Sequence, residues 1–275
     1  MKTIGRLFSI VILGYLMMTL LVYLLQRDLM FAPSTQRVSP AAMGLAHVRE
    51  VTLLTPRSEK LYCWYAEATP GAPTLLMFHG NGGNVSFRHH KIKQLTARGY
   101  GVFLLGYPGY GGSEGAPSEA AFIESATLAY QHLTEDIPAE QLVVYGTSLG
   151  SAVAVQLAAK VATAAVVLEA PMNSILEIAQ GQYPFLPVRW LIKDPFLSSD
   201  HIAQLGAPLL VIHGSNDRLI PLASGQALFN AAQEPKSFHI VAGGGHNNLY
   251  DYPVVDIIQG FLADHQIGTV TQSSE

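Results

Sequence analysis

"LVVYGTSLGSAVAVQLAAK", residues 142–160, starts as a short apolar run, breaks at Gly146, places Ser148 between two glycines and continues as an alanine-rich stretch. The first part suits a strand buried on both faces, and the second has the composition of a helix. A strand that turns directly into a helix at Ser148 has little steric room, so glycine at 146 and 150 is what the turn demands. Gly146-Thr147-Ser148-Leu149-Gly150 thus matches the G-x-S-x-G nucleophile elbow in its required order of strand, turn and helix. As a bare pentapeptide it is equally compatible with an ordinary glycine turn, so the surrounding chain has to decide.

Working outward, the same rhythm recurs. "HVREVTLLT" and "KLYCWYAEA" read as a hairpin of strands with "PRSE" as the turn. "TLLMFHG" is a continuous apolar strand, followed by a glycine-rich loop and a helix predicted over 85–98. "GVFLLGYPG" precedes a helix over 118–134, "AAVVLEA" follows the elbow helix, "PLLVIHG" precedes a helix over 222–232, and "SFHIVAG" precedes one over 250–264. Strands alternating with helices imply right-handed crossovers and a mainly parallel sheet of about eight strands, covered on both faces. Ligands in such sheets bind at the carboxyl ends of the strands. The last residues, "TQSSE", are read as frayed.

Composition narrows the class. The chain has 275 residues, 49% of them hydrophobic, and a formal net charge of -4, with no basic tract to suggest a nucleic-acid partner. The single cysteine, Cys63, excludes an internal disulfide framework and any cysteine-based metal cluster, and its aromatic neighbours suggest an ordinary strand thiol. No H-E-x-x-H or similar spacing argues for a metal, and no cofactor is implied. Near the N-terminus, "LFSIVILGYLMMTLLVYLL", residues 7–25, carries no charge and is long enough to cross a ~30 Å hydrocarbon core. It exceeds the usual signal-peptide core and no A-x-A site follows, so it reads as an uncleaved transmembrane anchor. The expected organisation is an anchor at 1–30 and one α/β domain at 31–275. Lys2 and Arg6 before the span nearly balance Arg27, Arg37 and Arg49 after it; the expectation is a cytoplasmic N-terminus and a catalytic domain on the extracytoplasmic side.

The candidate chemistry centres on Ser148. A serine hydroxyl is a poor nucleophile at neutral pH and needs a base. Of ten histidines, His246 in "GGGHNN", after the last strand, is best placed to take the proton and return it. His79 and His213 sit in strand-end "HG" turns where packing or turn hydrogen bonding explains them, and His89 and His90 fall on a helix. The imidazole needs an acceptor, for which Asp217 in "VIHGSNDRLIP" is first choice and Glu169 the reserve. The order Ser, Asp, His is that expected of such a sheet. For the developing oxyanion, the amide of Leu149 at the helix start supplies one donor, and "FHGNGGN" supplies a second, assigned to the amide of Asn81 with Gly82 as the alternative. Because the Asn81 contribution is backbone, its side chain is expected to be replaceable.

"FHGNGGN", "GYPGYGGSEGAPSE", "GTSLGS", "HGSNDRLIP" and "GGGHNN" together resemble the alpha/beta hydrolase superfamily, in its membrane-anchored serine hydrolase branch that includes protein depalmitoylases. The resemblance runs from about Phe31 to the last helix. It implies the alpha/beta hydrolase fold, with Ser148 as nucleophile, Asp217 as acid and His246 as base. In "GYPGYGGSEG", which resembles the loop that shapes the site's floor, Ser113 reads as structural, while Tyr107 and Tyr110 either touch a ligand or pack. The insertion at 172–206 lies where this fold carries a cap, and Tyr183, Phe185 and Trp190 either contact an acyl substrate or pack on the sheet. Pro184 and Pro187 argue against one unbroken helix there. The resulting expectation is a membrane-tethered esterase or thioesterase acting on acyl esters or thioesters, including lipids or lipidated groups. The alternatives are a peptidase using the same residues and a non-catalytic membrane scaffold.

Overall fold

The computed structural model describes residues 2–268, so the "TQSSE" end lies outside the described residues. Helix α1, Lys2–Met30, has a mean hydropathy of 2.3 over its most apolar window and is left uncovered along that window. It outruns the apolar segment because neither flank carries a proline. At its exit Phe31 turns into the core, and β1 (Ala32–Pro33) runs parallel beside β5 (Gly82–Gly83).

The main sheet is built from β2 (Arg49–Leu54), β3 (Lys60–Ala66), β4 (Thr74–Phe78), β6 (Gly101–Leu104), β7 (Leu142–Thr147), β8 (Ala165–Glu169), β9 (Leu209–Gly214) and β10 (Lys236–Val241). Its eight strands lie in the order β10-β9-β8-β7-β4-β6-β3-β2. The strands from β10 to β6 are parallel, and the β2–β3 hairpin joins antiparallel through β3. The expected mainly parallel, eight-stranded sheet is thus present. Successive residues of a strand face opposite sides. Leu76, Phe78, Val144, Leu168 and Val211 build the core under α3 (Glu119–Thr134), α4 (Leu149–Ala158) and α7 (Leu222–Ala231). Leu75, Met77, Val143, Tyr145, Val167 and Ile212 build the other, under α2 (His89–Thr96) and α8 (Val254–Asp264). Burial on both faces explains why these strands read as unbroken apolar runs.

Two helix starts differ from expectation for local reasons. The Asn84 side chain accepts from the Ser86 amide at 2.9 Å and shapes a tight 3-10 turn at Val85–Arg88, so α2 proper begins only at His89. Pro253 delays the last helix to Val254, after a separate short turn at Leu249–Asp251. The insertion at 172–206 carries α5 (Ile175–Gln182) and α6 (Val188–Leu191), with Pro184 and Pro187 in the break between them. The Ser174 hydroxyl starts α5 by accepting from the Glu177 amide at 3.0 Å.

Candidate active site

Ser148 occupies the single residue between the end of β7 and the start of α4, with φ 54° and ψ -120°. That region strongly favours glycine, so a serine held there is strained and has to be over-determined by its surroundings. Three contacts do this. The Ser148 amide donates to the Glu169 carbonyl at 2.9 Å, and the Ser148 carbonyl accepts from the Ser151 amide at 2.9 Å and from its hydroxyl at 2.5 Å. The flanking glycines are required by close approach. A Cβ on Gly146 would stand 2.4 Å from the Gly150 carbonyl oxygen, and one on Gly150 would stand 2.1 Å from the Phe78 carbonyl oxygen. The helix start is thereby pressed against both its own strand and the end of β4.

The other two candidates arrive on loops beyond β9 and β10, which are stitched together. Asn216 donates its amide to the Gly244 carbonyl at 2.8 Å, and the Gly243 amide donates to the Ser215 hydroxyl at 2.9 Å. A Cβ on Gly214 would come within 2.3 Å of the Gly244 carbonyl oxygen, so the loops meet only because that position lacks one. Across this seam His246 Nδ1 lies 2.7 Å from Asp217 Oδ2, and His246 Nε2 lies 3.0 Å from Ser148 Oγ. With Nδ1–H donating to the carboxylate, Nε2 is free to accept from the serine hydroxyl. The other Asp217 oxygen accepts from the amides of Leu219 and Ile220, both at 2.9 Å. Burial alone would raise the Asp217 carboxyl. The hydrogen bond from His246 and the two backbone donors outweigh it and hold the group below the usual carboxylate range.

The glycine-rich loop after β4 lies against the serine. A Cβ on Gly80 would be 3.3 Å from Ser148 Cβ. Its neighbour Asn81 is not the free side chain expected. Asn81 Nδ2 donates to the Met30 carbonyl at 2.5 Å, and its Oδ1 accepts from the Tyr110 hydroxyl at 3.1 Å and the Ala32 amide at 3.4 Å. The loop is therefore fastened to the exit of α1. Nothing local in "FHGNGGN" signals this, because the partner lies about fifty residues away along the chain.

Several candidates fall elsewhere. Tyr107 is fully buried, stacked on Phe122 at 4.0 Å with its hydroxyl donating to the His79 carbonyl, so packing accounts for it in place of a ligand contact. Tyr110 is buried too, with its hydroxyl on Asn81. Glu169, the reserve acid, is committed elsewhere. Its carboxylate meets Lys91 Nζ at 2.5 and 2.7 Å, the Tyr145 hydroxyl at 2.5 Å and the Thr147 hydroxyl at 3.3 Å. Burial pushes the Glu169 carboxyl up, but the Lys91 charge and these donors hold it below its ordinary value. Lys91 had no signature in sequence beyond a place on a polar helix.

His213 is buried with Nε2 on the Ile220 carbonyl at 3.0 Å, the turn role expected of it. His79 donates Nδ1–H to the Gly80 carbonyl at 2.7 Å, and burial, then the Arg88 charge, lowers it to about 3, so it is neutral. Ser113 accepts from the Tyr62 amide at 2.9 Å, a structural role. Cys63 is buried, its thiol pushed up to about 12 by burial. Tyr183, Phe185 and Trp190 lie on the outer flank of the cap, 47%, 59% and 85% exposed. Among the described residues, no cluster of histidine, cysteine or acidic side chains could hold a metal ion.

Comparison with known proteins gives the chain its relatives. The family model described as serine aminopeptidase, S33, matches residues 70–193. An uncharacterized protein of Mycobacterium tuberculosis is 38% identical over 246 residues, 87% of this chain and 88% of that one. Human alpha/beta hydrolase domain-containing protein 17B is 34% identical over 203 residues, 72% of this chain and 69% of its own length. Among solved structures, the Pyrococcus furiosus esterase Pf2001 superposes with a TM-score of 0.68, covering 86% of this chain and 98% of the esterase at 18% identity, a likeness of fold.

Proposed function

The chain belongs to the alpha/beta hydrolase superfamily, and from that premise we propose a membrane-anchored serine hydrolase that cleaves carboxylic ester or thioester bonds through an acyl-enzyme intermediate. One observation carries the reading: the unbroken relay from Asp217 through His246 to Ser148, with spacings of 2.7 and 3.0 Å, at a strained strand-to-helix turn. Ser148 Oγ attacks the acyl carbon as its proton passes to His246 Nε2, and Asp217 stabilises the resulting imidazolium. The carbonyl oxygen, now negative, faces the amides of Leu149 and Asn81. Each such donor is worth ~3 kcal/mol of transition-state stabilisation. Collapse of the adduct expels the alcohol or thiol, which takes the proton from His246, and water repeats the sequence to release the acid and restore Ser148.

The anchor at 1–30 holds this domain, residues 31–275 with a cap near 172–206, on the membrane. The length and exposure of α1 support that role. The domain is assigned to the extracytoplasmic face on the expectation drawn from its charges. A fluorophosphonate probe should label the detergent-solubilised chain, and Ser148→Ala should abolish both labelling and hydrolysis of short p-nitrophenyl and acyl-thioester substrates. Persisting turnover in that variant rejects the assignment. The description of the matching family model favours a second reading, a peptidase using the same relay. Cleavage of aminoacyl amides without turnover of esters would select it.

A further inference from the structure

Cap and anchor lie side by side over a longer distance than a tether needs. Among the otherwise exposed side chains of α1, Thr19, Val22, Gln26 and Met30 are partly covered, and with Tyr15 they form one stripe at helical spacing. The cap runs along this stripe in the opposite direction. Asp194, 2% exposed, takes the Arg27 guanidinium at 2.7 and 3.1 Å. The Lys193 amide donates to Gln26 Oε1 at 2.7 Å, and Gln26 Nε2 donates to the Leu191 carbonyl at 3.1 Å. Farther out, the Tyr15 hydroxyl donates to the Phe185 carbonyl at 2.9 Å. From Gln26 to Tyr15 the helix advances ~16 Å at ~1.5 Å per residue, which brings Phe185 alongside the middle of the apolar run at 7–25.

We infer that residues 183–191 of the cap are immersed in the bilayer beside α1, with lipid acyl chains covering their exposed apolar side chains. This rests on the anchoring role of α1 proposed above. If the hydrocarbon surrounds Tyr15, it also surrounds the backbone bonded to Tyr15. The surface of this segment suits that solvent: Tyr183, Phe185 and Trp190 expose large apolar rings within eight residues, and its one charged side chain, the exposed Arg189, lies two residues before Leu191 at the level of Gln26, from where its long stem extends toward the headgroups. Its backbone suits it too, because unpaired amides are what lipid penalises most. Pro184 and Pro187 have no amide hydrogen. The amides of Tyr183, Leu186, Val188, Trp190 and Ile192 each find a carbonyl between residues 179 and 188, the Phe185 carbonyl has the Tyr15 hydroxyl, and of the amides at 183–187 only that of Phe185 lacks a partner among the described residues. Arg27 and Lys193 mark the upper edge, where Lys193 Nζ sits 4.2 Å from the Tyr23 ring, at the level of the polar headgroups. The cap leaves the sheet just beyond Glu169, whose carbonyl holds the Ser148 amide, so the immersed segment and the serine are carried by the same strand end.

The two tryptophans of the chain make the test direct, because Trp64 is fully buried while Trp190 is 85% exposed. The full chain and its Trp190→Phe variant are reconstituted in phosphatidylcholine vesicles, and the Trp190 emission is taken as their difference. Immersion requires that phosphatidylcholine brominated on its acyl chains removes most of this emission and that aqueous acrylamide removes little. Quenching by acrylamide but not by bromolipid, in a chain that resists alkaline carbonate extraction, overturns the inference and leaves the anchor standing. Release of the chain by carbonate overturns both.

Discussion

Gly150→Ala should impair catalysis without unfolding the protein. The added methyl would lie 2.1 Å from the Phe78 carbonyl oxygen, 2.5 Å from the Phe78 carbonyl carbon and 2.7 Å from the His79 carbonyl oxygen. All three are backbone atoms, so no side chain can swing away. An ordinary carbon–oxygen contact is ~3.4 Å, and the end of β4 and the start of α4 therefore have to part by about 1 Å. These are the two elements that carry the proposed oxyanion donors, Asn81 just beyond β4 and Leu149 at the start of α4. A misplacement of ~1 Å costs ~100-fold in rate, equivalent to ~2.7 kcal/mol of barrier. Overpacking costs a further ~1–3 kcal/mol of stability, or ~2–10 °C in Tm. The assay is kcat and KM on a short p-nitrophenyl ester in detergent, alongside thermal melts. Gly260→Ala serves as control, since its methyl meets nothing within 4 Å. The expected result is a cooperative melt, a kcat down ~100-fold and a KM little changed for Gly150→Ala, against an unimpaired control. A folded Gly150→Ala protein with the parent's kcat refutes the argument that this contact sets the donor spacing.

Three further outcomes are expected. Asp217→Asn removes the anion that fixes the imidazole and should lower kcat by ~10,000-fold with the fold retained. Because Asp217 is held below the ordinary carboxylate value, its share of stability is complete above the unfolded value of ~3.9 and is lost as pH falls through the folded one. Acid-unfolding curves of parent and variant should therefore differ most above ~pH 4 and converge only as pH falls through the lower, folded-state value. Lys91→Met strands the buried Glu169 carboxylate and should cost ~3–5 kcal/mol by urea titration, most of it recovered by adding Glu169→Gln. If the double variant is as unstable as the single, stranded charge is not the cause. Asn81→Ala unfastens the loop from α1 and should lower kcat about tenfold with KM little changed; an unaltered kcat means the backbone holds itself.

The fold was legible because its central strands are covered on both sides. Burial on both faces leaves no alternation to misread, and the glycine-marked turns after "TLLMFHG", "VVYGTSLG" and "PLLVIHG" announce where each strand stops. Ser148, Asp217 and His246 were legible for a related reason: each follows a strand of a parallel sheet, so the topology brings them to one edge without any contact having to be guessed. The Glu169–Lys91 pair was not, because it depends on how α2 settles across β8, a packing outcome with no local pattern. Tyr107 stayed open for the same reason. Its ring turns inward onto Phe122, and a residue in an irregular loop carries no periodicity to say which way it faces.

The parallel pairing of Ala32–Pro33 with Gly82–Gly83 gives the peptide that leaves α1 a second identity, as a rib of the loop that lies against Ser148. A leash could be severed without consequence to the machinery it restrains; this peptide could not. A cut just after Met30 would leave Ala32–Pro33 beside Gly82–Gly83 but take away the carbonyl that Asn81 grips. The domain without α1 is then expected to share the kinetic defect of Asn81→Ala, with or without a membrane.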